Sequence, residues 1–170
     1  MKRKVFAIAL ALLLLVPVFM AVATEFKNYR WAKYHLKFKL PEHWNVTTNT
    51  ATEFIAKGSN IVLKIEPYKN SRVSADGVAM YGFRTYSVVE NKKIMLKNYG
   101  SAANSRVKAN LWGSGEVNGR KVYWRIMALV SQRDDNNVYC RAWWYDGMSN
   151  TDKNSEDARG VQHSLDFDAE

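Results

Sequence analysis

The side chains that could do chemistry are few in this 170-residue chain, and their spacing argues against most of it. His35 and His43 flank one short apolar segment and His163 stands far downstream, with no H-x-x-x-H or C-x-x-C pair in the chain. A zinc site needs three or four N, S or O ligands converging on one point. The histidines therefore read as turn and surface residues; His43 beside Glu42 is the one local metal-like pairing, and no metal is expected. Neither G-x-S-x-G nor G-x-x-x-x-G-K-[ST] occurs, so the nucleophile turn and the phosphate cradle are both missing. Gly113-Ser114-Gly115 is a short glycine loop, but it leads into a strand and not into a helix N-terminus, where free amides would hold an anion. Asp134-Asp135 is an adjacent carboxylate pair in a polar turn, which water solvates. No cofactor fingerprint is present and none is expected. The chain reads as no enzyme; a hydrolase assembled from scattered polar residues is the alternative.

Aromatic and arginine side chains form the richer constellation. The stretch from Gly113 to Asp146 reads as strand, tight Asn118-Gly119 turn, long strand, polar turn at Gln132 to Asn137, and a further long strand. Asn-Gly between β-rich segments is a strong hairpin signal, because a type I′ turn needs positive φ at both central residues. With period-two alternation, Val122, Trp124, Ile126, Ala128 and Val130 are expected to share a face with Val138, Cys140, Ala142 and Trp144. The other face then interleaves Tyr123, Arg125, Met127 and Leu129 with Tyr139, Arg141, Trp143 and Tyr145. Tyr and Arg dominate binding hot spots, so Arg125, Arg141, Trp143, Tyr145, Tyr139 and Tyr123 are the candidate binding residues. The competing expectation is that a helix covers this face as well, with the arginines snorkelling at its rim. Cys140 alternates with apolar neighbours and reads as a small buried residue, not a nucleophile.

The elements that would position this hairpin can be followed along the chain. Lys2, Arg3 and Lys4 precede an apolar run from Val5 to Met20, and Ala21-Val22-Ala23 offers a small-x-small cleavage site. This is the pattern of a Sec-type signal peptide, residues 1–23, cut after Ala23. An uncleaved anchor is the rival, since about 20 apolar residues span a bilayer. Pro17 and the Ala-x-Ala site favour cleavage, which leaves no transmembrane segment and a periplasmic or secreted protein. Of the 25 Lys and Arg, three lie in the leader, so 22 face 16 Asp and Glu in residues 24–170, a formal charge of +6. That charge attracts acidic proteins, lipid headgroups or polyanions. Residues 24–170 form one domain, large enough to bury a core without staples, and a lone cysteine excludes an internal disulfide. Asn45-Val46-Thr47 is a glycosylation sequon, with meaning only in a eukaryotic secretory pathway.

Tyr34, Leu36, Phe38 and Leu40 alternate with polar residues as a half-buried strand. Pro41 to Trp44 ends it, and Asn45 to Thr48 begins a return strand. Glu53 to Lys57 and Ile61 to Glu66 continue a meander, the latter stopped by Pro67. Ser74 is an N-cap candidate with Asp76 in the first turn; Val78, Tyr81, Thr85, Val88 and Val89 then fall near one helical face. Lys92 to Asn110 is irregular, with a loop expected at Lys97 to Ser101 and a strand from Val107. A short helix is expected from Asn154 or Ser155 to His163, and Leu165 and Phe167 close the chain as a last strand or packed tail.

The L-P-E-H-W end of the first strand (Leu40 to Trp44), the F-I strand with N-I-V-L-K-I-E-P (Asn60 to Pro67), the V-N-G-R-K-V-Y-W hairpin (Val117 to Trp124) and the terminal H-S-L-D-F (His163 to Phe167) together resemble the Mog1/PsbP-like superfamily. The resemblance spans most of residues 24–170. It implies an α+β fold, an antiparallel β-sheet flanked by helices on both sides in a Mog1/PsbP-like sandwich. Members include thylakoid-lumen photosystem proteins, a Ran-binding nuclear import factor and bacterial exported or secretion-adaptor proteins. No catalytic or metal residue carries over. The sequence thus points to an exported, non-catalytic binding or accessory protein whose partner is another envelope protein; a basic binder of polyanions or of the envelope surface is the alternative.

Overall fold

The computed structural model describes residues 24–99, 106–131, 135–148 and 151–168. The leader and its cleavage site lie outside the described residues, as do Gly100 and Ser101 of the expected loop and Asp134 of the carboxylate pair. Ten strands and two helices are described: β1 (Phe26–Trp31), β2 (Leu36–Pro41), β3 (Asn45–Asn49), β4 (Phe54–Gly58), β5 (Ile61–Lys69), α1 (Ala75–Arg84), β6 (Glu90–Tyr99), β7 (Arg106–Val117), β8 (Arg120–Ser131), β9 (Asn136–Tyr145), α2 (Thr151–Ser164) and β10 (Asp166–Phe167). Seven strands form an antiparallel sheet in the order β3-β4-β5-β9-β8-β7-β6, and β1-β2-β10 form a small second sheet.

The hairpin is the centre of the large sheet. Asn118 and Gly119 have φ of 52° and 71°, as the I′ turn requires. Each face of the large sheet carries its own core. On one, Met127, Leu129, Val138, Cys140, Ala142 and Trp144 pack with Phe54, Leu63 and Ile65 beneath the small sheet and Ala158 and Val161 of α2. On the other, Val122, Trp124, Ile126, Ala128 and Tyr139 meet Ala75, Val78 and Ala79 of α1. The α+β architecture with helices on both sides is the one the resemblance implied. Burial on both faces gives β8 and β9 their near-continuous apolar sequence.

Several local expectations are corrected. β1 was not foreseen; it pairs with β2 from Phe26↔Pro41 to Trp31↔Leu36. Tyr34 belongs to a 3₁₀ turn, Ala32–Tyr34, and not to the strand. β3 does not return along β2 but pairs with β4. Pro67 lies inside β5, opposite Val138. β4 pairs only as far as Ile65, so the proline occupies a stretch with one neighbour, where a missing N–H is tolerated. Ser74 does cap α1, its Oγ accepting from the Gly77 amide at 3.0 Å. Tyr81 stands exposed on the helix, which stops at Arg84 and leaves Val88 exposed and Val89 buried beyond its end. Lys92 to Asn98 is strand β6 and not loop, and α2 begins at Thr151, a turn earlier than expected.

Candidate protein-binding face

The register of β8 and β9 decides which candidate residues meet. Tyr123 lies opposite Trp144, Trp124 opposite Trp143, Arg125 opposite Ala142, and Ile126 opposite Arg141. Facing residues share a side of the sheet, so the expected grouping is off by one residue, and a one-residue slip exchanges every side chain between faces. Tyr139, Arg141, Trp143 and Tyr145 lie on the α1 side with Trp124 and Ile126. Tyr123 and Arg125 lie on the α2 side. The six candidates are therefore divided between two surfaces.

On the α1 side the first two residues are structural. Arg141 is 6% exposed, ion-paired with Glu66 on β5, and its Nη1 donates to Thr85 Oγ1 at 3.4 Å. Its guanidinium lies between the Tyr86 and Tyr139 rings, 4.9 and 5.1 Å from their centroids. Burial pushes the Tyr139 hydroxyl up to about 12, with Glu66 adding to the effect and Arg141 opposing it. Burial raises the Tyr86 hydroxyl well above the ordinary tyrosine value for the same first reason. Glu66 also takes Lys64, which bridges to Glu53 at 2.7 Å. Lys92 completes the cluster, donating to the Phe83 and Tyr86 carbonyls at 2.7 and 2.8 Å at the end of α1; burial and then Arg141 lower its pKa. Sequence reasoning missed Glu66, Lys64 and Lys92. The alternation of charged residues at 64 and 66 inside an apolar strand was the available signal.

The other two residues lie at the rim of the α1-side core. Trp143 and Tyr145 are half-buried and meet edge-on, with ring centroids 5.2 Å apart. The Arg120 guanidinium lies 4.1 Å from the Tyr145 centroid. Trp143 faces Val62, which faces Lys57 on β4, and the next row sets Lys64 against Ile55. α1 packs on β7, β8 and β9. The β4–β5 end of this face is thus an apolar strip of half-buried Ile55, Val62 and Trp143, bordered by exposed Lys57 and Arg120.

On the opposite side Tyr123 stacks on Trp112 at 6.1 Å under the Lys121 ammonium. Arg125 is half-buried, with burial and then Arg159 lowering its pKa; its Nε and the Trp112 Nε1 have no hydrogen-bond partner among the described residues. Cys140 is fully buried and its thiol pushed up to about 12, chiefly by burial. His43 Nε2 lies 3.4 Å from Asp157, and among the described residues no group of three or more His, Cys, Asp or Glu converges.

No protein-family model matches the sequence, and no curated protein matches it. Solved structures do match the fold, at low identity. The Ran-binding protein Mog1p of Saccharomyces cerevisiae superposes with a TM-score of 0.58 at 5% identity, over 85% of this chain and 96% of that one. LpqN of Mycobacterium tuberculosis, described as involved in cell envelope biogenesis, gives 0.52 at 9% identity over 86% of both chains. A Bacteroides thetaiotaomicron protein gives 0.50 at 11% identity, over 86% of this chain and 49% of that one. The fold is Mog1/PsbP-like.

Proposed function

We propose that this chain is an exported, non-catalytic accessory module that binds an acidic segment of another envelope protein through the Trp143 end of the β4–β5–β9 face. The observation that carries the reading is Trp143 and Tyr145, half-buried and edge-on, with Arg120 stacked over the ring. Aromatic and arginine anchors beside an apolar strip are what binding hot spots are made of. Lys57 and Arg120 at its border favour an acidic partner and set orientation more than affinity. Support from the fold is that Mog1p is a Ran-binding protein and that LpqN is involved in cell envelope biogenesis. The basic-apolar-small pattern of residues 1–23 supports export.

A photo-crosslinking residue at exposed Lys57, in cells carrying the full chain, tests this directly. One discrete protein adduct is expected, absent when the same residue is placed at exposed Lys153 on α2. Trp143→Ala with Tyr145→Ala is expected to weaken binding of that adduct's purified partner by about thirtyfold or more, a typical loss for two anchors. Arg120→Glu, at an exposed position that packs no core, should weaken it as well. Adducts that are equally abundant from Lys57 and Lys153, or affinity unchanged in all these variants, would overturn the assignment.

A further inference from the structure

A second surface, remote from Trp143, has the chemistry of an anion site. The small sheet, the end of α2 and β7 enclose a groove of about 500 Å³. Its lining contributes four permanent cations, Arg30, Lys37, Lys39 and Lys108, together with His163, against the single carboxylate of Asp166. Arg30 is already held by Asp168 at 2.6 Å, and Lys108 donates to the Leu165 carbonyl at 2.7 Å. Lys37 and Lys39 are exposed and form no ion pair with a described residue. They are two apart on β2, so both ammonium groups project from one side of the strand. Arg30 faces Lys37 and Asn28 faces Lys39 across the β1–β2 ladder, which draws the charges together.

His163 meets further positive charge from neighbouring elements. Burial lowers its pKa first, and Arg159 of α2, Arg125 of β8 and Lys108 of β7 lower it further. The positive charge converging here comes from five elements that only the fold brings together, and the acids at hand are Asp166 and Asp168.

We propose that this groove binds a phosphate-bearing anion, gripped by Lys37 and Lys39 with His163 as a third donor. A phosphate offers oxygens to several donors at once and up to two negative charges, which suits two exposed ammoniums better than a carboxylate does. Because the anion favours the charged imidazole, binding takes up a proton at His163 and tightens as pH falls towards the imidazole's own pKa.

The test uses two probes on the purified protein: inorganic phosphate, and vesicles of phosphatidylcholine with or without phosphatidylglycerol. Phosphate is expected to raise the His163 titration midpoint followed by imidazole NMR signals. Lys37→Gln with Lys39→Gln should abolish that shift and lower phosphate affinity at least about tenfold, the scale of one charge-assisted hydrogen bond. Lys69→Gln with Lys93→Gln, both exposed, removes equal charge elsewhere and should leave both unchanged. If the groove serves a lipid headgroup, phosphatidylglycerol vesicles will bind on the order of thirtyfold less well to the Lys37–Lys39 variant than to the parent. Equal vesicle binding by the two, with phosphate binding lost, assigns it to a soluble phosphate ester. No His163 shift with phosphate and no preference for phosphatidylglycerol, or equal losses in the two double variants, would overturn the proposal.

Discussion

A guanidinium with 6% of its surface in water carries a desolvation cost that only its partners can offset. Arg141 has Glu66, Thr85 and the Tyr86 and Tyr139 rings for that purpose, and Glu66 in turn has Lys64. Its role is therefore to tie β5, β9 and the end of α1 together, not to meet a partner. Removing one member of a buried pair costs about 3–5 kcal/mol, because the other is left uncompensated. Glu66 keeps Lys64 and is 18% exposed, so Arg141→Ala is expected near the low end, about 3 kcal/mol. Replacing both charges, Arg141→Met with Glu66→Leu, should cost about 1 kcal/mol or less, since no charge is stranded and Lys64 retains Glu53. Urea unfolding followed by circular dichroism measures both. An Arg141→Ala cost below that of the double variant would show that the pair does not hold these elements together.

At the scale of elements, two glycines of the β7–β8 hairpin separate conformational from packing demands. Gly119 has φ of 71° with nothing within 4 Å of where a Cβ would stand, so Gly119→Ala meets only the left-handed penalty, about 1 kcal/mol. At Gly113 a Cβ would strike the Lys93 carbonyl oxygen and the Trp124 indole, one of them backbone that cannot swing aside. Gly113→Ala is expected to cost about 3 kcal/mol, at the upper end for overpacking, and thermal or urea denaturation of the two variants should rank them in that order. The same elements show why some of the fold was legible and some was not. Asn118-Gly119 announces its turn because a positive φ at two successive positions demands those residue types. The side of β9 could not be read, because the register across the polar connection after Ser131 depends on loop geometry that composition does not specify. That single step separated Tyr123 and Arg125 from Arg141 and Trp143. β6 was obscured by register shifts between Glu90 and Lys93 and between Ile94 and Leu96, which break period-two alternation. Of the candidate face, Trp143 and Tyr145 were visible as residue types. Val62, Ile55 and Arg120 were not, since only the pairing of β5 with β9 and β4 brings the first two beside the indole.

The whole molecule is covered diagonally. α1 packs over β7–β9 on one side of the large sheet, while the small sheet and α2 pack over the β4, β5 and β9 side chains of the other. The Trp143 strip is left at one end of the first face, and the Tyr123–Trp112 stack toward the β6 edge of the second. The seam between the small sheet, α2 and β7 is where folding concentrates like charge, and this sets the response of stability to pH. The native state disfavours His163 protonation through burial and through Arg159, Arg125 and Lys108, whereas the unfolded chain does not. Between the ordinary histidine pKa of about 6.5 and the lower native value, the unfolded state binds more protons. Stability must then rise with pH across that window and fall as pH drops below about 6.5. Asp146 acts with the same sign further down: its hydrogen bond from Lys121 holds its carboxyl below the usual range, and that contribution is lost as pH falls through the native value. Melting temperatures recorded from pH 8 to pH 5 should therefore decline, and His163→Gln should flatten the part of the decline that begins near pH 6.5. Added sodium chloride should steady the acid limb by screening Arg159, Arg125 and Lys108 around His163, which a Debye length of about 8 Å at physiological ionic strength permits. A His163→Gln profile parallel to the parent's through that range would mean that the charge gathered at the seam does not govern acid stability.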